Sequence, residues 1–195
     1  MDTPVDALSA PVDTAELVVL LDRDHRPAGV AHKSEVHTRD TALHLAFSCW
    51  MFDAAGRVLL TRRALGKVTW PGVWTNAFCG HPAPGEATAD AVRRRARREL
   101  GIAVTDLAVA LPDFAYRAVD ASGIVEHEVC PVYAAVLDGG VDPSADEVMD
   151  TAWADPGQLL DAVAATPFAF SPWLVEQAPL LAAALPERFA APVIR

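Results

Sequence analysis

The chain has 195 residues, of which 52% are hydrophobic and 22% charged, and its formal charge at pH 7 is −10. This length and hydrophobic content favour one sizeable core, and therefore a single domain. The negative charge argues against nucleic-acid binding by broad neutralisation of phosphates, and no apolar run reaches the roughly 20 residues that span a bilayer.

The N-terminal segment 1–15 is predicted to be flexible, and it lacks the basic and apolar regions of a signal peptide. A β-rich run follows at 16–22. A second run, at 43–52, ends in the turn sequence Asp-Ala-Ala-Gly, so the run at 58–62 fits the return strand of a hairpin. The sequence therefore predicts that the first third of the chain is mainly sheet.

A loop rich in proline and glycine, at 69–85, carries Cys79 and His81 and is predicted to be ordered, with one short strand. The pattern then becomes helical over 86–100, with Thr88 as a possible N-cap and Gly101 as the stop signal.

The second half of the chain predicts strands at about 107–118 and 125–137, and helices near 155–165 and 171–184. Strands around one central helix indicate a mixed α/β or α+β layer fold. We expect one domain over 16–185 and a C-terminal tail over 186–195.

The central helix and the loop before it contain a motif of specific spacing. The Nudix box is G-x5-E-x7-R-E-U-x-E-E-x-G-U, and the chain matches it at Gly80, Glu86, Arg94, Glu99, Gly101 and Ile102. In Nudix hydrolases the glutamates near the end of this motif lie one turn apart on a helix and converge on magnesium ions.

Two of those glutamate positions hold Arg95 and Arg98 in this chain. Arginine cannot ligate a divalent cation, but it binds phosphate through charge-assisted hydrogen bonds. The motif therefore predicts anion binding without the hydrolytic metal cluster. For Arg93, Arg97 and Arg98 the alternative is a solvated helix face.

A second set of residues, outside the helix, offers imidazole and carboxylate ligands: His37, His44, His81, Glu126 and Glu128. Glu126 and Glu128 are two apart on a predicted strand, so their side chains leave the same face. Imidazole and carboxylate ligands suit zinc, manganese or magnesium in octahedral coordination better than thiolate ligands do. Alternatively, a single histidine on an apolar strand, such as His44, is structural.

Four stretches around these residues resemble the type 1 isopentenyl-diphosphate isomerases, and the resemblance extends from about 17 to 177. The stretches are HTRDTALHLAFS from 37, WPGVWTNAFCGHP from 70, SGIVEHEVCP from 122 and FAFSPW from 168. The resemblance implies a Nudix-like fold of mixed sheet and helices, with a Nudix core at about 42–176. It also implies interconversion of isopentenyl and dimethylallyl diphosphates.

Carried over position by position, the resemblance implies a role for each matching residue. A divalent metal, Mn2+, Zn2+ or Mg2+, would be held by His37, His44, His81, Glu126 and Glu128. Cys79 and Glu128 would transfer protons on opposite faces of the alkene, with Tyr116 nearby. A second Mg2+, bound with the substrate, would contact Glu99 and the Cys79 carbonyl. The diphosphate would be bound by Lys33, Arg63, Lys67 and Arg95, and the carbocation would face Trp173.

Two other functions remain open from the residues alone. One is a Nudix pyrophosphohydrolase, which Arg95 and Arg98 disfavour. The other is a non-catalytic diphosphate-binding module, which would be expected to lose Cys79, Tyr116 or Glu128.

The three cysteines show no disulfide or zinc pattern, so we expect reduced thiols in a cytoplasmic protein. We also expect a small diphosphate substrate, no membrane partner, and a monomer or weak homodimer.

Overall fold

A computed structural model describes residues 17–104 and 106–189. The predicted flexible segment at 1–15, the first residue of the first predicted strand, and the tail beyond 189 lie outside these residues. No helix within the two described ranges is both long and apolar enough to cross a membrane.

Within residues 17–104 and 106–189, twelve strands and five α-helices form the fold. The strands are β1 (Leu17–Leu21), β2 (Pro27–His32), β3 (His44–Leu45), β4 (Phe47–Asp53), β5 (Val58–Arg63), β6 (Trp74–Thr75), β7 (Phe78–Gly80), β8 (Leu107–Leu111), β9 (Ala115–Val119), β10 (Val125–Val129), β11 (Val132–Leu137) and β12 (Val148–Ala154). The helices are α1 (Lys33–Val36), α2 (Thr88–Leu100), α3 (Pro156–Ala165), α4 (Pro172–Ala184) and α5 (Pro186–Phe189), with a 3-10 turn at Pro167–Ala169.

The strands form two mixed sheets. The first has the order β2-β1-β3-β10-β9, and the second has the order β12-β5-β4-β11-β8, with β6 paired to β5 and β7 paired to β4. Each sheet contains one parallel pair, β3 with β10 and β4 with β11. The predicted hairpin between β4 and β5 is confirmed by the pairing of Phe52 with Val58. Mixed sheets layered with helices confirm the predicted α+β class.

Strand β4 separates two hydrophobic cores, because successive side chains leave opposite faces of a strand. Phe47, Cys49 and Met51 pack in the core that contains the apolar face of α2. Trp50 and Phe52 pack in the other core, which contains apolar residues of α3 and α4. Ser48 lies on this second face and is fully buried, so its hydroxyl is inside the protein near the loop that carries Cys79.

The central helix α2 begins at the residue that was predicted to cap it. Ala87 occupies the N-cap position without a side-chain hydrogen bond, and Thr88 is the first helical residue, so the predicted Thr88 cap is wrong. The predicted end is confirmed: Gly101 has φ 67° and donates its backbone N–H to the carbonyls of Ala96 and Arg97.

Several predicted strands are divided. The run at 125–137 breaks before Pro131, which has no backbone N–H to donate to a ladder. The run at 107–118 breaks at residues 112–114, which include Pro112. Strands β2 and β12 were not predicted, and the side chains of β2 are mostly exposed, so β2 lacks the alternation that marks a half-buried strand.

Packing continues beyond the predicted domain end at 185. Helix α5 covers the first residues of the predicted tail, and the buried Phe189 ring lies against Trp50 and Phe52, with centroid separations of 6.5 and 6.2 Å. Phe189 is thus part of the second core.

Candidate active site

All but two of the predicted site residues line one pocket. The pocket is bounded by the predicted residues Lys33, His37, Arg63, Lys67, Cys79, His81, Arg95, Tyr116, Glu126, Glu128 and Trp173. His44 and Glu99, the other two, are buried and are not among its lining residues. The structure therefore brings residues from positions 33 to 173 to one place.

Strand register explains how distant residues meet. Glu128 on β10 lies opposite His44 on β3 and opposite Tyr116 on β9. Glu126 and Glu128 leave the same face of β10, as predicted, and both are buried. His127 leaves the opposite face, where its Nδ1 lies 3.2 Å from the Thr41 carbonyl.

Four of the five predicted metal ligands converge closely. One potential ligand atom from each of His37, His44, His81 and Glu128 lies within 4.8 Å of the other three. The fifth residue adjoins them, because Oε2 of Glu126 is 3.0 Å from Nε2 of His37.

Buried polar atoms at this cluster are unsatisfied. Nε2 of His37, Nε2 of His44, Nδ1 of His81 and Oε2 of Glu126 have no hydrogen-bond partner among the described residues. Buried polar atoms are normally paired, so converging lone pairs of imidazole and carboxylate are what a bound cation would satisfy. The cluster can hold a divalent metal.

The ionisation of His81 and Glu128 is compatible with metal binding. Burial, together with nearby His44 and His37, lowers the pKa of His81 to about 3, so its imidazole is neutral, the form that ligates a metal. Burial opposes ionisation of Glu128, but the neighbouring imidazoles of His44 and His81 hold its pKa well below the usual value. For His44 burial acts in the lowering direction, yet the Glu128 carboxylate, 3.4 Å from Nε2, raises the pKa overall.

Cys79 lies on β7 within a buried polar network. Its Sγ is 3.3 Å from the Ser48 hydroxyl and 3.5 Å from Oδ1 of Asn76. Gln177 joins the network by donating from Nε2 to Ser48 at 2.9 Å. Burial raises the pKa of Cys79 to about 12, so the side chain is a protonated thiol.

An aromatic group forms another wall of the pocket. The centroid of the buried Trp173 ring lies 5.8 Å from that of Tyr116 and 5.5 Å from that of Trp70, and the Trp70 and Trp173 rings meet edge-on. The Trp173 indole N–H donates to Oδ1 of Asn76 at 3.0 Å, which fixes the direction of the ring. Burial, with Glu128 and Glu126 nearby, raises the pKa of Tyr116, so its phenol is neutral.

Two basic side chains of the pocket, Arg95 and Lys67, are paired with carboxylates. Arg95 donates from Nη2 to Glu147 at 3.0 Å and from Nε to Glu99 at 2.8 Å. Lys67 pairs with the other oxygen of Glu147. Burial acts against ionisation of Glu147, but Arg95, Lys67 and Lys33 lower its pKa to about 2.

Comparison with known proteins assigns the chain to a family. The Nudix domain family matches residues 42–174. An isopentenyl-diphosphate Delta-isomerase of Clavibacter michiganensis subsp. michiganensis is 63% identical over 166 residues, which cover 85% of this chain and 86% of that protein. The isomerase of Agromyces mediolanus is 62% identical over 182 residues, covering 92% and 88%.

The chain belongs to the isopentenyl-diphosphate Delta-isomerase family. Its fold is also found in more distant solved structures. A Deinococcus radiodurans protein has a TM-score of 0.66 at 17% identity, covering 87% of this chain and 99% of its own. The MutT protein of Methanosarcina mazei has a TM-score of 0.58 at 17% identity, covering 72% and 94%.

In this isomerase-family member, part of the Nudix box is structural. Arg94 donates from Nε and Nη2 to the two carboxylate oxygens of Glu86, at 2.8 and 2.7 Å, and from Nη2 to the His81 carbonyl at 3.1 Å. Glu86 also accepts from the Ala83 backbone N–H at 2.8 Å. These bonds fasten the loop carrying His81 to helix α2.

Gly80 explains how the helix approaches the site so closely. A Cβ at Gly80 would lie 2.9 Å from Cγ of Arg95 and 2.9 Å from Cζ of Phe47. Only glycine lets Arg95 lie against the segment between Cys79 and His81. A larger residue at position 80 would push helix α2 away from the pocket.

Sequence reasoning missed four residues of this isomerase-family site: Ser48, Thr69, Asn76 and Glu147. Ser48 and Asn76 lie inside stretches that carried the family resemblance, so that resemblance could have identified them. Thr69 directly precedes one of those stretches. Glu147 has no local signal, because it reaches Lys67 and Arg95 only through tertiary structure.

Proposed function

We propose that this protein interconverts isopentenyl and dimethylallyl diphosphates by adding a proton to one carbon of the alkene and removing a proton from another. The observation that carries the proposal is the composition of one pocket. It is lined by a thiol, a carboxylate and an indole ring, Cys79, Glu128 and Trp173, beside four basic residues.

Proton transfer is assigned to Cys79 and Glu128. The reaction needs two carriers, since one carbon gains a proton while another loses one. The raised pKa of Cys79 supplies a protonated thiol, and the lowered pKa of Glu128 supplies a carboxylate, so one donor and one acceptor face the same pocket. Tyr116, which lies opposite Glu128 on the neighbouring strand, is assigned a supporting role beside these two proton carriers.

Trp173 is assigned to the developing positive charge. A cation over a desolvated aromatic face is stabilised by roughly 2 kcal/mol. The indole cannot trap the cation as a hydroxyl group would, and its N–H is already engaged by Asn76. Packing by Tyr116 and Trp70 helps to exclude water, which would convert the cation to an alcohol.

Diphosphate binding is assigned to the basic residues on one side of the pocket: Lys33, Arg63, Lys67 and Arg95. The two arginines offer planar, bidentate donors and the lysines offer point charges, which together suit a diphosphate. Glu99 and the Cys79 carbonyl are assigned to a Mg2+ that enters with the substrate. Arg95 supports this assignment because it contacts both parts of the proposed site. It lies against Gly80, the residue next to Cys79, and it donates a hydrogen bond to Glu99.

The convergent histidines and carboxylates are assigned to one Mn2+, Zn2+ or Mg2+. The unsatisfied atoms of His37, His44, His81 and Glu126 support this assignment, with Glu128 as the fifth ligand. When bound, the metal would supply positive charge that orders the ligands and adjusts the basicity of Glu128. Unpaired cysteines within the described residues, Cys49, Cys79 and Cys130, fit a reducing cytoplasm.

The test is an NMR time course with isopentenyl diphosphate and Mg2+ in deuterated water. We expect dimethylallyl diphosphate carrying deuterium, with no release of phosphate. Cys79→Ala and Glu128→Gln should each lose activity by about 100- to 10,000-fold, as expected for groups that move protons. Cys49→Ala removes a buried thiol on the other face of β4 and is the matched control that should retain activity.

Two results would contradict the proposal. Release of inorganic phosphate would indicate a Nudix hydrolase instead. Unchanged substrate with folded wild-type protein and added metal would indicate a binding module.

A further inference from the structure

We infer that Thr69 is a positioning residue that joins the metal-binding group Glu126 to the diphosphate-binding group Arg63 through a single hydroxyl. The inference rests on the proposed function, which assigns those two roles. It goes further in making metal affinity and substrate binding depend on a pocket residue that is not among the assigned ligands of either group.

The contacts of Thr69 define its hydrogen-bond directions. The side chain is only 3% exposed. Its Oγ1 donates to Oε1 of Glu126 at 2.6 Å. Because the single hydroxyl proton is used there, the same oxygen can only accept from Nη2 of Arg63, at 3.2 Å.

The Glu126 side of this bridge points a carboxylate oxygen at the metal cluster. Thr69 occupies Oε1, and the other oxygen, Oε2, is the buried atom without a hydrogen-bond partner, 3.0 Å from Nε2 of His37. Outer hydrogen bonds of this kind hold a ligand in its coordinating orientation. Without the hydroxyl, Glu126 can rotate and lose that orientation.

The Arg63 side fixes a guanidinium at the pocket wall. The Thr69 carbonyl accepts from Nε at 3.1 Å and from Nη2 at 2.9 Å. The same guanidinium lies over the Trp173 ring, 5.3 Å from its centroid. The carbonyl bonds hold Arg63 beside the indole, and the bond from Nη2 to the Thr69 hydroxyl is the one that ties this guanidinium to Glu126.

Substitutions can separate the hydroxyl from the shape of the side chain. Thr69→Val keeps the size and β-branching but removes the donor, whereas Thr69→Ser keeps the hydroxyl. Thr69→Ala removes the donor without placing a methyl group against Glu126, and it replaces the valine variant if that variant does not fold. Thr166→Val is the matched control, since Thr166 hydrogen-bonds Ala162 at the end of α3 and lies outside the site.

The measurement is Mn2+ binding to the full-length, metal-free protein, followed by calorimetry or electron paramagnetic resonance. We expect Thr69→Val to raise the Mn2+ Kd on the order of 10- to 100-fold. Thr69→Ser and Thr166→Val should bind as the wild type does. A purely packing role would leave the Kd of Thr69→Val unchanged, because valine fills the same space.

Steady-state kinetics with saturating Mn2+ and Mg2+ test the Arg63 side. The KM for isopentenyl diphosphate should rise several-fold in Thr69→Val and be restored in Thr69→Ser. An unchanged Kd overturns the metal side of the inference, and an unchanged KM overturns the diphosphate side. If the wild type itself binds no Mn2+, the proposed metal site fails first, and that result is distinct from wild-type binding with no effect of Thr69→Val.

Discussion

Asn76 is the residue on which the positions of the proposed proton carrier Cys79 and the proposed cation-stabilising Trp173 both depend. Its fully buried amide accepts from the Trp173 indole and from the Thr75 hydroxyl, and donates to the carbonyls of Cys49 and Phe78, both at 2.9 Å. Because Cys79 follows Phe78 directly, the Asn76 side chain fixes the positions of both the strand that carries the Cys79 thiol and the Trp173 indole.

Replacing Asn76 with leucine should therefore affect both stability and rate. The change leaves the indole N–H and two carbonyls unpaired in the interior, which should lower the free energy of unfolding by about 3 kcal/mol. Misplacement of the indole and thiol should lower kcat by roughly 10- to 100-fold. Urea unfolding and the NMR assay measure these effects, and the indole 15N–1H signal of Trp173 should shift while that of Trp50 does not. Wild-type unfolding and wild-type kcat would refute this role.

Helix α2 and its preceding loop form a unit fastened by Glu86. The Arg94 hydrogen bonds are the largest influence on Glu86 and hold its pKa below the usual 4.5. A carboxyl group with a lowered pKa stabilises the fold above its unfolded-state pKa, and that contribution is lost as the pH falls through the folded-state value.

Glu86→Gln should consequently reduce stability in a pH-dependent way. At pH 7 we expect a loss of about 1–2 kcal/mol, since charge-assisted hydrogen bonds are replaced by neutral ones. The difference from the wild type should shrink as the pH falls below about 4.5. Asp90→Asn is the control, because the Asp90 side chain is 68% exposed in its pair with Arg93 and such pairs contribute little. Urea unfolding at several pH values would reveal a constant difference if the interpretation is wrong.

Elements and site residues differ in how far local sequence determines them. Helix α2 was predictable because its apolar stripe and Gly101 are local signals, whereas β2 was missed because its exposed residues show no alternation. The histidines and Cys79 were found through motifs. Glu147 was not, because its position is set when Val148 pairs with Arg63 across β12 and β5, two strands far apart in sequence.

At the scale of the whole molecule, the histidine and glutamate cluster that could hold a metal lies where the two sheets meet. His44 and Glu128 belong to the first sheet, while His81 directly follows β7 of the second. A bound ion would thus connect residues of both sheets.

Metal binding should accordingly stabilise the entire domain. A ligand that binds only the folded state at 100 times its Kd adds about 2.7 kcal/mol to the free energy of unfolding. We expect Mn2+ to raise Tm, EDTA to reverse the increase, and His81→Ala to abolish it. Thermal unfolding monitored by circular dichroism measures the shift, and equal Tm values with and without Mn2+ in the wild type would count against a metal shared by the two sheets.

The pairing of Glu147 with Lys67 and Arg95 has a consequence for selectivity. If these two cations receive the substrate diphosphate, the incoming anion must exchange with an internal counter-ion that is already in place. A singly or doubly charged anion, such as inorganic phosphate, gains little from that exchange, whereas a diphosphate carrying more charge and Mg2+ can complete it. The empty protein would then be protected from the abundant small anions of its surroundings by a carboxylate of its own.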